Sequence, residues 1–270
     1  MNEKEQSLKI KIKSFFRFID KKILFNILKK LYQIVYINLL KKNYFFLTNN
    51  NNYKNTHYFN NLKNDLSILC EKHGSDKGYI NFAQDTPYGW KAHTYTNIYY
   101  NLFNHCKNEI KLIFECGIGT NNPHLISNMT SSGKPGASLR VWRDYFVNGA
   151  VFGADIDKNI LFEEDRIKTF YVDQLNENSI KEMWSNINKK DFDIILDDGL
   201  HTFEAGVTMF LNSFDKLRKN GIYIIEDVDF IYIKELAEAL SEYNPEIITL
   251  YDNNTKHQNN NLILIRKFEN

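Results

Sequence analysis

The stretch "FDIILDDGLH", residues 192–201, runs through buried-type residues, stops on Asp197 and Asp198, and adds His201 three positions after Asp198. A run that is apolar almost throughout, rather than at alternate positions, is the pattern of a strand covered on both faces. Working outward, similar runs recur at "IKLIFEC" 110–116, "AVFGADI" 150–156, "IKTFYVD" 167–173, "GIYIIED" 221–227, "EIITLYD" 246–252 and "NLILIRK" 261–267. Helical periodicity falls between most of them, near 138–147, 179–188, 203–219 and 231–242. This alternation predicts an α/β fold with a doubly wound, mostly parallel sheet. The last two strands have only a polar turn between them and predict a C-terminal antiparallel hairpin.

The flanking regions have a different character. The 270 residues carry a formal charge of +1, but residues 1–48 hold eleven Lys/Arg against three Asp/Glu, a net +8, which leaves −7 for the rest. An acidic body argues against nucleic-acid binding and leaves the basic arm, 1–48, for an anionic partner. Within 14–47, Phe16, Ile19, Ile23, Ile27, Leu28, Leu31, Ile34 and Val35 recur at helical spacing among lysines. That pattern predicts one or two basic amphipathic helices. Two roles are open for them: peripheral contact with an anionic membrane surface, or packing on their own domain or a second subunit in a homo-oligomer.

The apolar run "LYQIVYINLL", 31–40, is too short to span a bilayer. Dispersed Cys70, Cys106 and Cys116 suggest neither zinc nor a disulfide framework, so a cytoplasmic location is expected. The asparagine-rich segment 49–61 reads as a linker, and the folded body as 62–270.

In an open α/β sheet, ligands gather beyond the carboxyl ends of the strands. The first such end, "FECGIGTNN" 114–122, supplies Glu115, Gly117 and Gly119, but Asn122 stands where a nicotinamide fingerprint requires a third glycine. The second supplies Asp155 and Asp157, an acid placed for ribose hydroxyls. The third supplies Asp173 and Gln174, able to meet an adenine edge. The fourth and fifth supply Asp197, Asp198 and His201, then Glu226 and Asp227.

Adjacent carboxylates repel one another unless a cation intervenes. A donor set of oxygens with one imidazole favours Mg²⁺ or Mn²⁺ over zinc. An imidazole beside such an ion is suited to remove a hydroxyl proton. For Asp197, capping the next helix or facing solvent is an alternative to ligand contact.

With "FECGIGT", "PGASLRVWRDYF", "VFGADID", "VDQ", "FDIILDDGLH" and "GIYIIEDV" in this order, the chain resembles class I S-adenosylmethionine-dependent methyltransferases. More narrowly, it resembles the metal-dependent sugar O-methyltransferases of the mycinamicin and macrocin type. The resemblance covers about 66–230 and implies a Rossmann-like methyltransferase domain with two cofactors, S-adenosyl-L-methionine and Mg²⁺ (or Mn²⁺).

It implies that the Glu115–Gly119 turn with Thr120 meets the methionine end, Asp155 the ribose, and Asp173 and Gln174 the adenine, with Asp197 close by. It further implies Asp198, Glu226 and Asp227 as metal ligands and His201 as general base. Where the family usually has Ser, this chain has Leu200, a departure that concerns loop packing. The loop 121–138 is a candidate lid. Asp76, Lys77, His93 and Tyr95, from a GSDKG and an HxY element, either line the pocket or staple the segment to the sheet.

The implied reaction is O-methylation of a sugar or polyol hydroxyl, on an acceptor that is free or phosphate-, nucleotide- or lipid-linked, in surface-glycan or natural-product glycan modification. A nicotinamide oxidoreductase, a catechol or amine methyltransferase and a non-catalytic binding protein are the alternatives.

Overall fold

The computed structural model describes residues 63–78, 90, 92–251 and 260–268, the backbone of 54–59, and positions 30–32, 34, 35 and 38. Two compact units divide the chain, Met1–Thr48 and Asn49–Asn270. In the first, the described residues are helical, and Leu31, Tyr32, Ile34 and Val35 among them are exposed. The rest of the amphipathic arm expected over 14–47 lies outside the described residues. Among the described residues no helix is long and apolar enough to cross a membrane.

The second unit is built on a nine-stranded sheet among the described residues. Its strands are β1 Lys54–Phe59, β2 Leu112–Cys116, β3 Ala150–Asp155, β4 Glu163–Glu164, β5 Ile167–Tyr171, β6 Phe192–Asp197, β7 Leu217–Ile225, β8 Glu246–Tyr251 and β9 Asn261–Arg266. Their spatial order is β1-β8-β9-β7-β6-β2-β3-β5-β4. From β7 across to β5 every pairing is parallel, whereas β9 runs antiparallel to both β7 and β8. The predicted doubly wound sheet and terminal hairpin are therefore present.

Two expectations need correction. Residues 54–59, inside the segment read as linker, form β1, paired in parallel outside β8; the flanking asparagines obscure a short β-prone stretch, "THYF". The helix expected over 203–219 ends at Leu211, and β7 begins at Leu217, because the chain must already turn to enter the sheet beside β6.

Among the described residues six helices flank the sheet: α1 Asp65–His73, α2 Tyr95–Phe103, α3 Ala137–Tyr145, α4 Glu177–Ile187, α5 Phe203–Leu211 and α6 Ile233–Ala239. Helix α1 packs on α2 and α3; α5 packs on α4 and α6. Local chemistry sets their ends. Asn64 and Ser67 form a reciprocal capping box on α1, and Gly74 at φ +81° closes it by donating to the Cys70 carbonyl. Thr202 caps α5 through the Ala205 N–H at 3.3 Å, one residue after His201.

The central strands β2, β3 and β6 bury both faces, β6 with all six residues buried. Strand β2 divides its side chains between the two layers. Phe114 packs against Trp184 of α4 with its ring tilted and against Phe192 edge-on, with ring centroids 4.5 and 6.4 Å away. Glu115 turns to the opposite side, where Trp142 of α3 donates its indole N–H at 2.8 Å. Replacing the fully buried Phe114 by Ala should cost about 3–5 kcal/mol. A urea titration would register that as a lower midpoint; an unchanged midpoint would mean the ring is not central to the core.

Candidate functional site

Register brings the strand ends to one level. Cys116 pairs with Ala154 and Asp197, Asp197 with Ile225, and Asp155 with Tyr171. Ladder bonds continue one residue beyond, from Asp198 N–H to Cys116 O (2.8 Å) and from Glu226 N–H to Asp197 O (2.9 Å). Since the chain runs from β2 outward to β3 and β5, and from β6 in the other direction to β7, the β2/β6 boundary is a topological switch point. A cavity of about 740 Å³ opens there.

Gly117, Gly119, Thr120, Asp155, Asp173, Gln174, Asp198, His201, Glu226 and Asp227 all line it. The loop expected to act as a lid contributes His124 to Met129. Two expected cofactor contacts do not reach the cavity wall. Glu115 lies behind the glycine turn, engaged by Trp142 and Lys77, and Asp197 lies beneath the "DDGLH" turn.

Gly117, at φ +84°, lines the cavity and also meets a packing requirement. A Cβ there would collide with the backbone carbonyl of Asp198, so the glycine lets the β2 turn abut the acid strand. Gly119, also at +84°, lies beneath Met129 of the loop.

Asp155 accepts the backbone N–H groups of Ile118 and Asp157, both at 2.9 Å, and ties the two turns together. Thr120 donates to Asp157 at 2.6 Å. Gln174, expected at an adenine edge, has its amide engaged elsewhere: Nε2 donates to Asp197 Oδ1 at 2.5 Å and Oε1 accepts the Leu200 N–H at 2.9 Å. Because that bond uses the backbone of Leu200, the departure from Ser leaves the turn's anchoring intact.

The acid cluster forms two halves. On the outer side, His201 Nε2 lies 3.2 Å from Asp198 Oδ1 and 4.0 Å from Asp227 Oδ2. These three residues offer ligand atoms all within 4.8 Å of one another, a set able to hold one cation. On the inner side, the buried Lys77 ammonium meets Glu115, Asp198 and Glu226. Glu226, expected in the metal set, is turned inward: one oxygen meets Lys77, and Oε1 accepts the Tyr99 hydroxyl at 2.5 Å.

Asp227 is steadied by Tyr95, whose hydroxyl donates at 2.5 Å, and by His93 at 3.4 Å, which stacks on Tyr95. The GSDKG and HxY elements thus line the cavity and brace the acids at once. Sequence reasoning missed Tyr99, Trp90, Ile156 and Leu175. Tyr99 continues the HxY element at helical spacing, one turn of α2 beyond Tyr95, a signal that was legible.

Backbone and charge reinforce one another. His201 and Asp227 both hold left-handed backbone, φ +59° and +51°, uncommon for non-glycine residues and typical of positions fixed by their surroundings. Burial pushes Asp197 up to about 7. Burial would also raise Asp198, but Lys77 and His201 overcome it and hold that carboxyl below the carboxylate range. Burial alone would depress His201; the hydrogen bond it donates to Asp198 and the charge of Asp227 reverse this and raise it to about 9.

The His201 pairing therefore stabilises the metal-free fold fully below pH 6.5, its ordinary pKa, and the contribution fades as pH rises through about 9. Imidazole NMR in chelator should give a midpoint near 9, falling toward 6.5 in Asp198→Asn; a wild-type midpoint at or below 6.5 would contradict the pairing. Gly117→Ala should destabilise the fold by more than 1 kcal/mol, through strained φ and the clash with Asp198; thermal melting checks it.

No family model matches the chain. Among curated proteins, residues of this chain are 31% identical over 167 positions to the 8-demethyl-8-alpha-L-rhamnosyl tetracenomycin-C 2'-O-methyltransferase of Streptomyces olivaceus, covering 62% of the chain and 38% of that protein. They are 33% identical over 144 positions to the demethylmacrocin O-methyltransferase of Streptomyces fradiae, covering 53% and 34%. The matched stretch therefore spans less than two-fifths of these relatives' length.

Among solved structures, the MycE methyltransferase from the mycinamycin biosynthetic pathway, in complex with Mg and SAH, superposes with a TM-score of 0.55 at 25% identity, covering 77% of this chain and 56% of MycE. The sheet is that of the Rossmann-like methyltransferases, and the chain resembles metal-dependent sugar O-methyltransferases, as the motifs implied.

Proposed function

We propose that the chain transfers a methyl group from S-adenosyl-L-methionine to a hydroxyl of a sugar or sugar-bearing acceptor, assisted by Mg²⁺ or Mn²⁺. One juxtaposition carries this reading: a set of hard ligands and an imidazole, Asp198, His201 and Asp227, on the wall of the same cavity as the glycine turn, Asp155 and Asp173. The activities for which the relatives are named point the same way.

The site suits a divalent ion: the carboxylates of Asp198 and Asp227 would hold it, and the His201 imidazole, with a nitrogen within 4.8 Å of both, would stand beside it. Such an ion supplies Lewis acidity that makes an acceptor hydroxyl more acidic, and S-adenosylmethionine supplies the methyl group on a sulfonium leaving group. His201 takes the hydroxyl proton, and the oxygen's electron pair forms the new C–O bond as the C–S bond breaks toward a thioether. Asp198 orients His201 through the 3.2 Å contact. With the charges of Asp198 and Asp227 compensated, the largest causes that raise His201 would be removed, which favours the neutral imidazole as the proton acceptor.

A sugar with vicinal hydroxyls suits the site, and phosphate-, nucleotide- or lipid-linked forms belong to the same acceptor class. We further propose that the basic arm 14–47 contacts an anionic membrane surface or a second copy of the chain, consistent with exposed Leu31, Ile34 and Val35.

Calorimetry should show S-adenosylmethionine and S-adenosylhomocysteine binding while NAD does not; binding of NAD alone would favour the oxidoreductase reading. In a sugar-acceptor screen, chelator should abolish turnover, which an amine acceptor would not require. His201→Ala should lower kcat by about 10²–10⁴-fold with cofactor affinity unchanged. A parallel loss of both would make His201 structural.

A further inference from the structure

Lys77 is 3% exposed in its side chain, yet its ammonium touches carboxylates from three different strand ends. Glu115 Oε1 lies at 3.1 Å and Asp198 Oδ2 at 2.5 Å, and Glu226 Oε2 completes the set. A lysine is seldom buried without pairing, and here it meets three acids, of which Glu115 and Glu226 are fully buried and Asp198 reaches the cavity.

Asp198 is the hinge between the two halves: Oδ2 faces the ammonium, and Oδ1 faces His201 and the outer set. Glu226 has both oxygens engaged inward, by Lys77 and Tyr99. The lysine itself is fastened by its backbone, since its carbonyl accepts the Thr96 N–H at 3.2 Å and the neighbouring Asp76 carbonyl accepts that of His93 at 2.7 Å.

Four carboxylates grouped in this way, Glu115, Asp198, Glu226 and Asp227, have the composition of a site for two ions bridged by one acid, commonly about 3.5–4 Å apart. The ammonium stands where the inner ion would be. We propose that Lys77 is a tethered counter-ion that occupies the inner half of the acid cluster, positions Asp198 and Glu226, and restricts the outer half, Asp198, His201 and Asp227, to a single divalent ion. A tethered monovalent cation neither leaves nor yields to chelator, so the acids keep their arrangement before any metal arrives. The proposal rests on the metal-assisted reading above.

Mn²⁺ is the probe, because electron paramagnetic resonance counts bound ions and detects spin coupling between neighbouring ones. Wild-type protein should bind one Mn²⁺ per chain. Lys77→Ala should bind two, with the broadened spectrum of a coupled pair, and ethylammonium, a free surrogate for the lysine tip, should return it to one. If the three uncompensated acids prevent Lys77→Ala from folding, the double variant K77A/E115Q removes one cation and one anion together and should show the same second ion.

A folded variant that binds one Mn²⁺ with affinity within twofold of wild type would overturn the proposal alone. Absence of Mn²⁺ binding by the wild type would overturn the metal-assisted reading and, with it, this proposal.

Discussion

The ammonium of Lys77 among Glu115, Asp198 and Glu226 is the contact on which the site depends. Three strands of a parallel sheet end side by side here, and each delivers an acid to the same small volume. Without a cation, that convergence would be unstable, since like charges removed from water raise one another's energy steeply. Lys77 comes from the segment between α1 and α2, outside the sheet. The connection that looks peripheral in the chain therefore carries the charge that lets the strand ends meet.

A second constraint is spatial. The β2 turn and the β6 turn touch through Gly117 and the Asp198 carbonyl, with no room for a side chain between them. The β5 end reaches the same place through Gln174, which holds Asp197 and the Leu200 N–H simultaneously. His201 and Asp227 are then carried over the cavity in left-handed backbone. Such conformations persist where neighbouring contacts over-determine them, and here Thr202 capping α5 and Tyr95 bonding Asp227 do so. The outer ligand set is thus assembled from strained positions braced by buried partners.

Much of this was legible in the residue pattern. Central strands covered on both faces must be apolar along their length, so β2, β3, β6 and β7 announce themselves, and the acids that end each run mark the ligand edge. Less legible was β1, a short edge strand beside an asparagine run, and the end of α5, where periodicity continues past the point at which the chain turns into β7. The inward turn of Glu226, away from Asp227, depends on Lys77 and Tyr99, neither of which is near it in sequence.

The sheet, its winding and the order in which acids and glycines reach its ligand edge follow from the residue pattern, because hydrophobic periodicity and strand-end chemistry are local properties. Tertiary structure alone decided which acid faces which cation. That choice depends on contacts such as Lys77 to Glu226 and Tyr95 to Asp227, over a hundred residues apart along the chain, where Coulomb attraction and the cost of burying an unpaired charge act through space.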